Sequence, residues 1–379
     1  RNTMIDRFIE KQLIKDIKPG RVVCLFGARR TGKTFLLKVL TKKLDRKKIL
    51  NLHGQNLTTQ EIFSSQRTEI LEKYTTGYDT IFIDEAQNIP NIGLNLKLAV
   101  DTLPHLSFLV TGSSAFDLKY KIGEPLVGRS IFLKLYPFSQ LELSKHETAL
   151  ETKTRLEDRL IFGAYPQIIT SKSDGAKRKV LENLRDGYLL KDILTIDNLK
   201  DSLFVFNLLR LIAFQIGHDI SYAELAQNLN THPNTVRRYL ELLEKVFVIF
   251  PQQGFSRNLR KEYTKTPRYY FWDNGVRNVL ISNFNALGLR DDVGALWENY
   301  CVSERLKRND YKNISANYYY WRTYDQKEID LVEERDGRLF GFEMKWKKPM
   351  GKPPKDFLLS YKNSHFELIH KENYLEFIT

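Results

Sequence analysis

Apolar residues at Phe8, Ile9, Leu13, Ile14 and Ile17 recur at helical spacing, so residues 1–20 read as an amphipathic helix stopped by Pro19-Gly20. The next run, Val22-Val23-Cys24-Leu25-Phe26, has no alternation. An unbroken apolar run of this length marks a strand covered on both faces, as in a parallel sheet. A glycine-rich turn follows, and then Phe35, Leu36, Leu37, Val39 and Leu40 form the apolar side of a helix. Further strands are predicted at 49–52, 80–83 and 107–111, with helical stretches between them. Alternation of strand and helix predicts an α/β fold with a parallel-sheet core.

Beyond that core the pattern changes. Residues 138–202 are helical and charged, 203–285 begin with a compact helical trio, and 286–379 read as one helix followed by several strands. This predicts four domains: a core over 1–137, a helical lid over 138–202, a helix-turn-helix module over 203–285 and a C-terminal α/β domain over 286–379. The Lys-rich segment 345–355, with Pro349, Pro353 and Pro354, reads as a loop. No internal repeat is visible.

Composition narrows the partners. The 379 residues include 59 Lys and Arg against 46 acids, a formal net charge of +13. Such an excess favours a polyanion, nucleic acid before an anionic membrane. Cys24 and Cys301 are too isolated for a disulfide framework or a cysteine zinc site, and the seven histidines show no compact ligand spacing. There is no signal-peptide pattern and no apolar run long enough to span a bilayer, which predicts a cytoplasmic protein with no membrane partner. The chain starts with Arg1, so a start or leader segment is expected to be missing.

The candidate chemistry begins at Gly27-Ala28-Arg29-Arg30-Thr31-Gly32-Lys33-Thr34, which fits G-x-x-x-x-G-K-[ST] between a predicted strand and a predicted helix. Backbone amides of such a loop, at a helix N-terminus, cradle phosphate. Lys33 is placed to reach the outer phosphates of ATP and Thr34 to put its hydroxyl on Mg²⁺. Ile81-Phe82-Ile83-Asp84-Glu85 supplies two acids at the C-terminal end of a buried strand, where parallel sheets bind ligands. Asp84 is read as the Mg²⁺ carboxylate and Glu85 as the group that activates water; capping of the following helix is the competing role. The next strand ends Thr111-Gly112-Ser113-Ser114, a polar end that either flanks the terminal phosphate or caps a helix over 115–121. Leu126-Val127-Gly128-Arg129 precedes another apolar strand, Ile131-Phe132-Leu133, and an Arg suits a transferring phosphoryl group.

These motifs together resemble the AAA+ superfamily. More narrowly, the chain is similar to prokaryotic AAA+ ATPases that carry a winged helix and a C-terminal restriction-endonuclease-like domain. The resemblance implies Ser113 or Ser114 as a sensor and Arg129 as an arginine finger acting across a subunit interface. It therefore implies a homo-oligomer, a ring such as a hexamer. Gly163-Ala164-Tyr165-Pro166 resembles a lid motif near the nucleotide base.

Two later constellations bear on nucleic acid. Leu225, Ala226 and Leu229, then Val236, Leu240 and Leu243, give two short amphipathic helices across a break at residues 230–234, with Ser221 and Glu224 at the first N-terminus. This reads as a helix-turn-helix, with a wing at 246–251 and 267–272 and with Arg237 and Arg238 placed to meet DNA. The same module also serves ATPases as a lid that never touches DNA. Asp336-Gly337 is a two-residue hairpin signal, and the hairpin pairs Asp330 with Glu343 and Glu328 with Lys345. Strict alternation puts Ile329, Leu331, Phe340, Phe342, Met344 and Trp346 on the opposite, core face. Opposed carboxylates repel unless a cation lies between them, so Asp330 and Glu343 are candidate metal ligands. Asp330, Glu343 and Lys345, with Glu298 on a helix, resemble the PD-(D/E)xK superfamily, which implies Mg²⁺-dependent cleavage of nucleic acid. A solvated face of ion pairs, or a nuclease fold that only grips DNA, fits the same residues.

The expectation is an oligomeric Mg²⁺-dependent ATPase that binds, moves or remodels DNA, branched DNA included. A nucleotide-dependent signalling switch with a protein partner, and a metal-dependent DNA nuclease regulated by ATP, are the other two classes.

Overall fold

The apolar runs of the N-terminal part become β1 (Val22–Phe26), β2 (Ile49–His53), β3 (Thr80–Asp84), β4 (Ser107–Gly112) and β5 (Ser130–Lys134). All pair in parallel, in the order β2-β3-β4-β1-β5. The fold is mixed α/β with a five-stranded parallel core. β1, β3 and β4 are buried at every residue, which is why their sequences are apolar without alternation, whereas edge strands β2 and β5 are less completely covered. A computed structural model describes residues 5–44, 47–113, 126–189, 202–256, 266–323, 327–347 and 355–379. Ser114 and the helix expected over 115–121 lie outside the described residues.

Helices α1 (Glu10–Asp16), α2 (Lys33–Lys43), α3 (Leu57–Ser64), α4 (Thr68–Thr75) and α5 (Ile92–Thr102) belong to the same part of the chain. α1 is much shorter than the apolar spacing over 1–20 suggested. The backbone leaves helical geometry at Ile17 (φ −71°, ψ 90°), two residues before Pro19, whose ring and missing N–H cannot continue a helix.

Residues 1–137, together with Lys245–Phe247, form one compact unit; Phe138–Glu244 and Val248–Thr379 form the other. The second unit contains α6 (Leu156–Phe162), α7 (Asp174–Leu184), α8 (Ser202–Phe214), α9 (Tyr222–Asn228), all but the last residue of α10 (Pro233–Lys245), α11 (Asn274–Leu280) and α12 (Val293–Tyr311). Its sheet is built from β6 (Ile249–Gly254), β7 (Arg268–Phe271), β8 (Asn317–Arg322), β9 (Glu328–Arg335), β10 (Arg338–Met344) and β11 (Ser364–Ile369), with α13 (Lys355–Ser360) before β11 and α14 (Tyr374–Ile378) after it. The six strands run in the order β11-β10-β9-β8-β6-β7. The β6–β7 hairpin is therefore not a separate wing. Gln253 and Gly254 pair in parallel with Tyr319 and Tyr320, so the line expected at 285/286 crosses a continuous sheet.

The predicted hairpin register holds from Arg335↔Arg338 to Leu331↔Phe342. The predicted alternation does not. On the β8 side Tyr319 faces Val332 and Trp321 faces Ile329, so β9 carries one extra residue at Asp330–Leu331. This bulge puts Ile329 and Val332 into one buried cluster with Phe255, Trp321 and Phe357. The other side of β9 is also enclosed: Glu333 is 0% exposed and binds Arg305 of α12 through two contacts, Nε–Oε1 2.6 Å and Nη2–Oε2 3.0 Å. Among the described residues, no helix is long and apolar enough to cross a membrane.

Candidate active site

β1 delivers the chain into the loop at its C-terminal end, and the loop is shaped by close contacts. A Cβ on Gly27 would lie 2.1 Å from the Leu135 carbonyl oxygen, so only glycine fits where the loop leaves the sheet. Gly32 (φ 98°, ψ 23°) turns the chain into α2. Lys33, 4% exposed, donates from Nζ to the carbonyls of Gly27 (2.7 Å) and Ala28 (3.0 Å). Thr31 donates to the Ala28 carbonyl (2.8 Å). The loop's polar lining is thus ordered by its own residues, with the α2 N-terminus supplying a positive field.

Arg7, which sequence reasoning missed, braces this loop from behind. Its guanidinium donates to the carbonyls of Thr31 (2.9 Å) and Tyr136 (2.6 Å), and it is buried. No local pattern signals a contact 24 residues away. Replacing Arg7 by Met removes two charge-assisted hydrogen bonds to backbone, so the loop must be ordered at the expense of ligand binding. Nucleotide affinity in a fluorescent-nucleotide titration is expected to weaken roughly tenfold; an unchanged affinity would remove Arg7 from the site.

At the C-terminal end of β3, Asp84 accepts the Thr34 hydroxyl at Oδ2 (2.6 Å) and the Thr111 hydroxyl at Oδ1. Thr111 also accepts the Glu85 amide (3.1 Å). Glu85 has left-handed backbone geometry (φ 54°, ψ 45°), costly for a residue with a Cβ and held by its surroundings. One of these is Gly54, where a Cβ would lie 2.3 Å from the Glu85 carbonyl oxygen. Glu85 Oε2 accepts from Gln87 Nε2 (2.5 Å), and the same amide reaches Ser113 Oγ (3.3 Å). Lys33, Thr34, Asp84, Glu85 and Ser113 therefore gather at one edge of the sheet. Two hard oxygens, from Thr34 and Asp84, lie within one hydrogen bond of each other, which is the donor chemistry and spacing Mg²⁺ accepts alongside phosphate and water.

Arg129 is at the other edge. Its carbonyl accepts the Val22 amide (3.0 Å) where β1 begins, a strand length of about 13 Å from the loop. Its guanidinium, 49% exposed, pairs with Asp101 of α5. The same unit's phosphate loop is out of its reach.

In the second unit, Asp330 accepts the Met344 amide (2.7 Å). Lys345 pairs with Glu343 (2.9 Å). Glu298 accepts the Tyr270 hydroxyl (2.7 Å). Glu328, expected opposite Lys345, instead meets Arg268 and Arg322, because the bulge shifts β9 and β10 ends at Met344. Burial, then the charge of Asp330, raises Glu298 well above the ordinary carboxylate range. Burial raises Asp330 as well, against the pull of the Met344 amide and Lys345, with Glu343 adding to the rise. Asp330, Glu298, Glu343 and Lys345 are thus electrostatically in contact, although no group of three or more acidic, His or Cys side chains among the described residues is set to hold a metal ion. Farther along the same unit, the Asp273 carboxylate fixes the residue after Gly163 by accepting the Ala164 amide (2.7 Å). Arg237 and Arg238 are exposed on α10, Arg237 paired with Glu241 (3.1 Å), while Val236, Leu240 and Leu243 are buried beneath them.

Residues 19–144, which include the phosphate loop and the strand ending in Asp84, match the family described as AAA domain. Residues 153–288 and 293–372 match two families described as domains of unknown function. An uncharacterized protein of Mycobacterium tuberculosis is 28% identical over 86% of this chain and 70% of its own. One from Haemophilus influenzae is 24% identical over 97% of this chain and 92% of its own. Among solved structures, AMPPCP-bound DnaA from Aquifex aeolicus is similar with a TM-score of 0.33 and 13% identity, covering 64% of this chain and 90% of that one.

Proposed function

We propose that this protein is a Mg²⁺-dependent, oligomeric ATPase that acts on DNA. The observation that carries the reading is the 2.6 Å contact between the Thr34 hydroxyl and the Asp84 carboxylate beside a loop ending in buried Lys33. Thr34 and Asp84 would hold Mg²⁺, which supplies charge neutralisation and orientation of the β- and γ-phosphates. Gly27 to Thr34 supply amides to the phosphates, Lys33 supplies a cation and Glu85 receives a proton from the attacking water. ATP and Mg²⁺ are accordingly the ligands of this edge of the sheet.

Arg129 acts in trans on this reading. An exposed guanidinium at the far edge of the sheet cannot serve its own loop, but in a ring it faces a neighbour's. Arg129→Ala is expected to leave ATP binding unchanged and to lower hydrolysis at least about a hundredfold, as loss of an arginine finger does. Mixing it with Lys33→Ala chains should restore turnover at interfaces where an intact Arg129 meets an intact loop; no recovery opposes the trans role.

The DNA part rests on the net charge of +13, on Arg237 and Arg238 on one exposed helix side, and on the Glu298, Asp330, Glu343 and Lys345 group. That group would hold a divalent ion against a phosphodiester, with Asp330 and Glu343 as ligands. Phosphate release measured with single-stranded, duplex and four-way DNA tests this. Stimulation that declines with added salt is expected, because phosphate contacts release counterions. A flat response across all three DNAs would leave a nucleotide switch for a protein partner as the better reading.

A further inference from the structure

Gln87 stands outside every role assigned above, yet it is the side chain that fixes where the Glu85 carboxylate points. It lies in the 3₁₀ turn Ala86–Asn88, and the left-handed backbone of Glu85 folds the chain back so that side chains 85 and 87 meet. A carboxylate only accepts, so the amide group facing Glu85 must be Nε2, and this settles the orientation of the whole amide. Nε2 donates to Glu85 Oε2 (2.5 Å) and to Ser113 Oγ (3.3 Å). Oε1 is then buried with no donor among the described residues.

The rest of Glu85 has little freedom. Its amide is held by Thr111, and its carbonyl is packed against Gly54. Thr111 in turn binds Asp84. Only the side-chain torsions of Glu85 remain to be set, and Gln87 sets them while touching the hydroxyl at the end of β4.

We propose that Gln87 is a positioning residue for ATP hydrolysis, aligning Glu85 with the attacking water and tying that alignment to Ser113. This rests on the ATPase reading above. In the step concerned, the water oxygen bonds to the terminal phosphorus as the bond from that phosphorus to the ADP oxygen breaks, and the water's proton goes to the Glu85 carboxylate. Gln87 takes no proton; it keeps the acceptor at the angle from which the transfer is made.

The experiment compares wild type with Gln87→Ala, Gln87→Glu, Ser113→Ala and the double variant Gln87→Ala/Ser113→Ala, measuring kcat and KM for ATP and fluorescent-nucleotide affinity. Gln87→Glu keeps the shape and replaces the donor with a second carboxylate facing Glu85, so a loss shared with the alanine variant is not one of side-chain volume. Both Gln87 variants are expected to lose at least about tenfold in kcat, with KM and nucleotide affinity within about twofold of wild type. The double variant should lose less than the product of the single losses, because the two residues act as one unit. A kcat within twofold of wild type in both Gln87 variants overturns the proposal, and so does a loss carried by KM. If wild type itself turns over no ATP, the ATPase reading falls and this goes with it; turnover by wild type with indifferent Gln87 variants sinks this inference alone.

Discussion

Lys33→Ala should reduce ATP turnover at least about a hundredfold, the scale on which a charged stabiliser of a phosphoryl transition state acts. The side chain is 4% exposed and lies along the loop, with Nζ within hydrogen-bond distance of the Gly27 and Ala28 carbonyls. A buried ammonium that donates to neutral carbonyls at the N-terminus of a helix is placed to meet a stronger anion, and phosphate is the anion that such a loop cradles. The substitution falls on the first residue of α2, where alanine suits a helix, and removes no apolar side chain from the core, so circular dichroism and the melting temperature should stay close to wild type. Turnover retained in Lys33→Ala would break the link between the loop and phosphate.

The second large effect concerns Asp330. Its carboxyl and that of Glu298 are both raised by burial, and Glu298 also by the charge of Asp330. Groups whose folded pKa lies above the unfolded value stabilise the fold fully below the unfolded value, about 4 for a carboxyl, and lose that contribution as pH rises through the raised values. Without divalent ions the second unit should therefore lose stability across that window. A divalent cation bound as proposed by Asp330 and Glu343 would replace the protons and reverse the trend, because metal binding favours the deprotonated ligands. Mn²⁺ should raise the melting temperature of wild type more at pH 8 than at pH 5.5. Asp330→Asn should abolish this metal-induced rise and any metal-dependent DNA cleavage while leaving ATP turnover within about twofold. A Mn²⁺ response that survives in Asp330→Asn would place the ion elsewhere.

How far the sequence carried depends on whether a feature is local. Three of the five core strands, β1, β3 and β4, could be read because burial on both faces leaves an unmistakable apolar run. The hairpin register could be read because Asp336-Gly337 fixes the turn and the turn fixes the pairs. The bulge at Asp330–Leu331 had no such signal, since it is set by β8 and not by the hairpin itself. It broke the expected alternation by bringing Ile329 and Val332 into one cluster, and it took Glu328 away from Lys345. The pairing of Gln253 with Tyr319 spans a long stretch of chain and likewise leaves no trace in either segment. Around the phosphate loop, the motif residues could be listed in advance, but the supports could not. Arg7 and Thr111 act through partners far away in sequence, and Gln87 is recognisable only once Glu85 is seen in left-handed geometry. Thr111 came nearest to being found, because a polar residue ending a buried strand already pointed to the site.

The most direct test is phosphate release from ATP by the purified wild-type chain, with Mg²⁺ present and then chelated. Steady release that stops on chelation and resumes when Mg²⁺ is restored is the expected result. No release, or release indifferent to the metal, would contradict the assignment of Thr34 and Asp84 as a shared magnesium site.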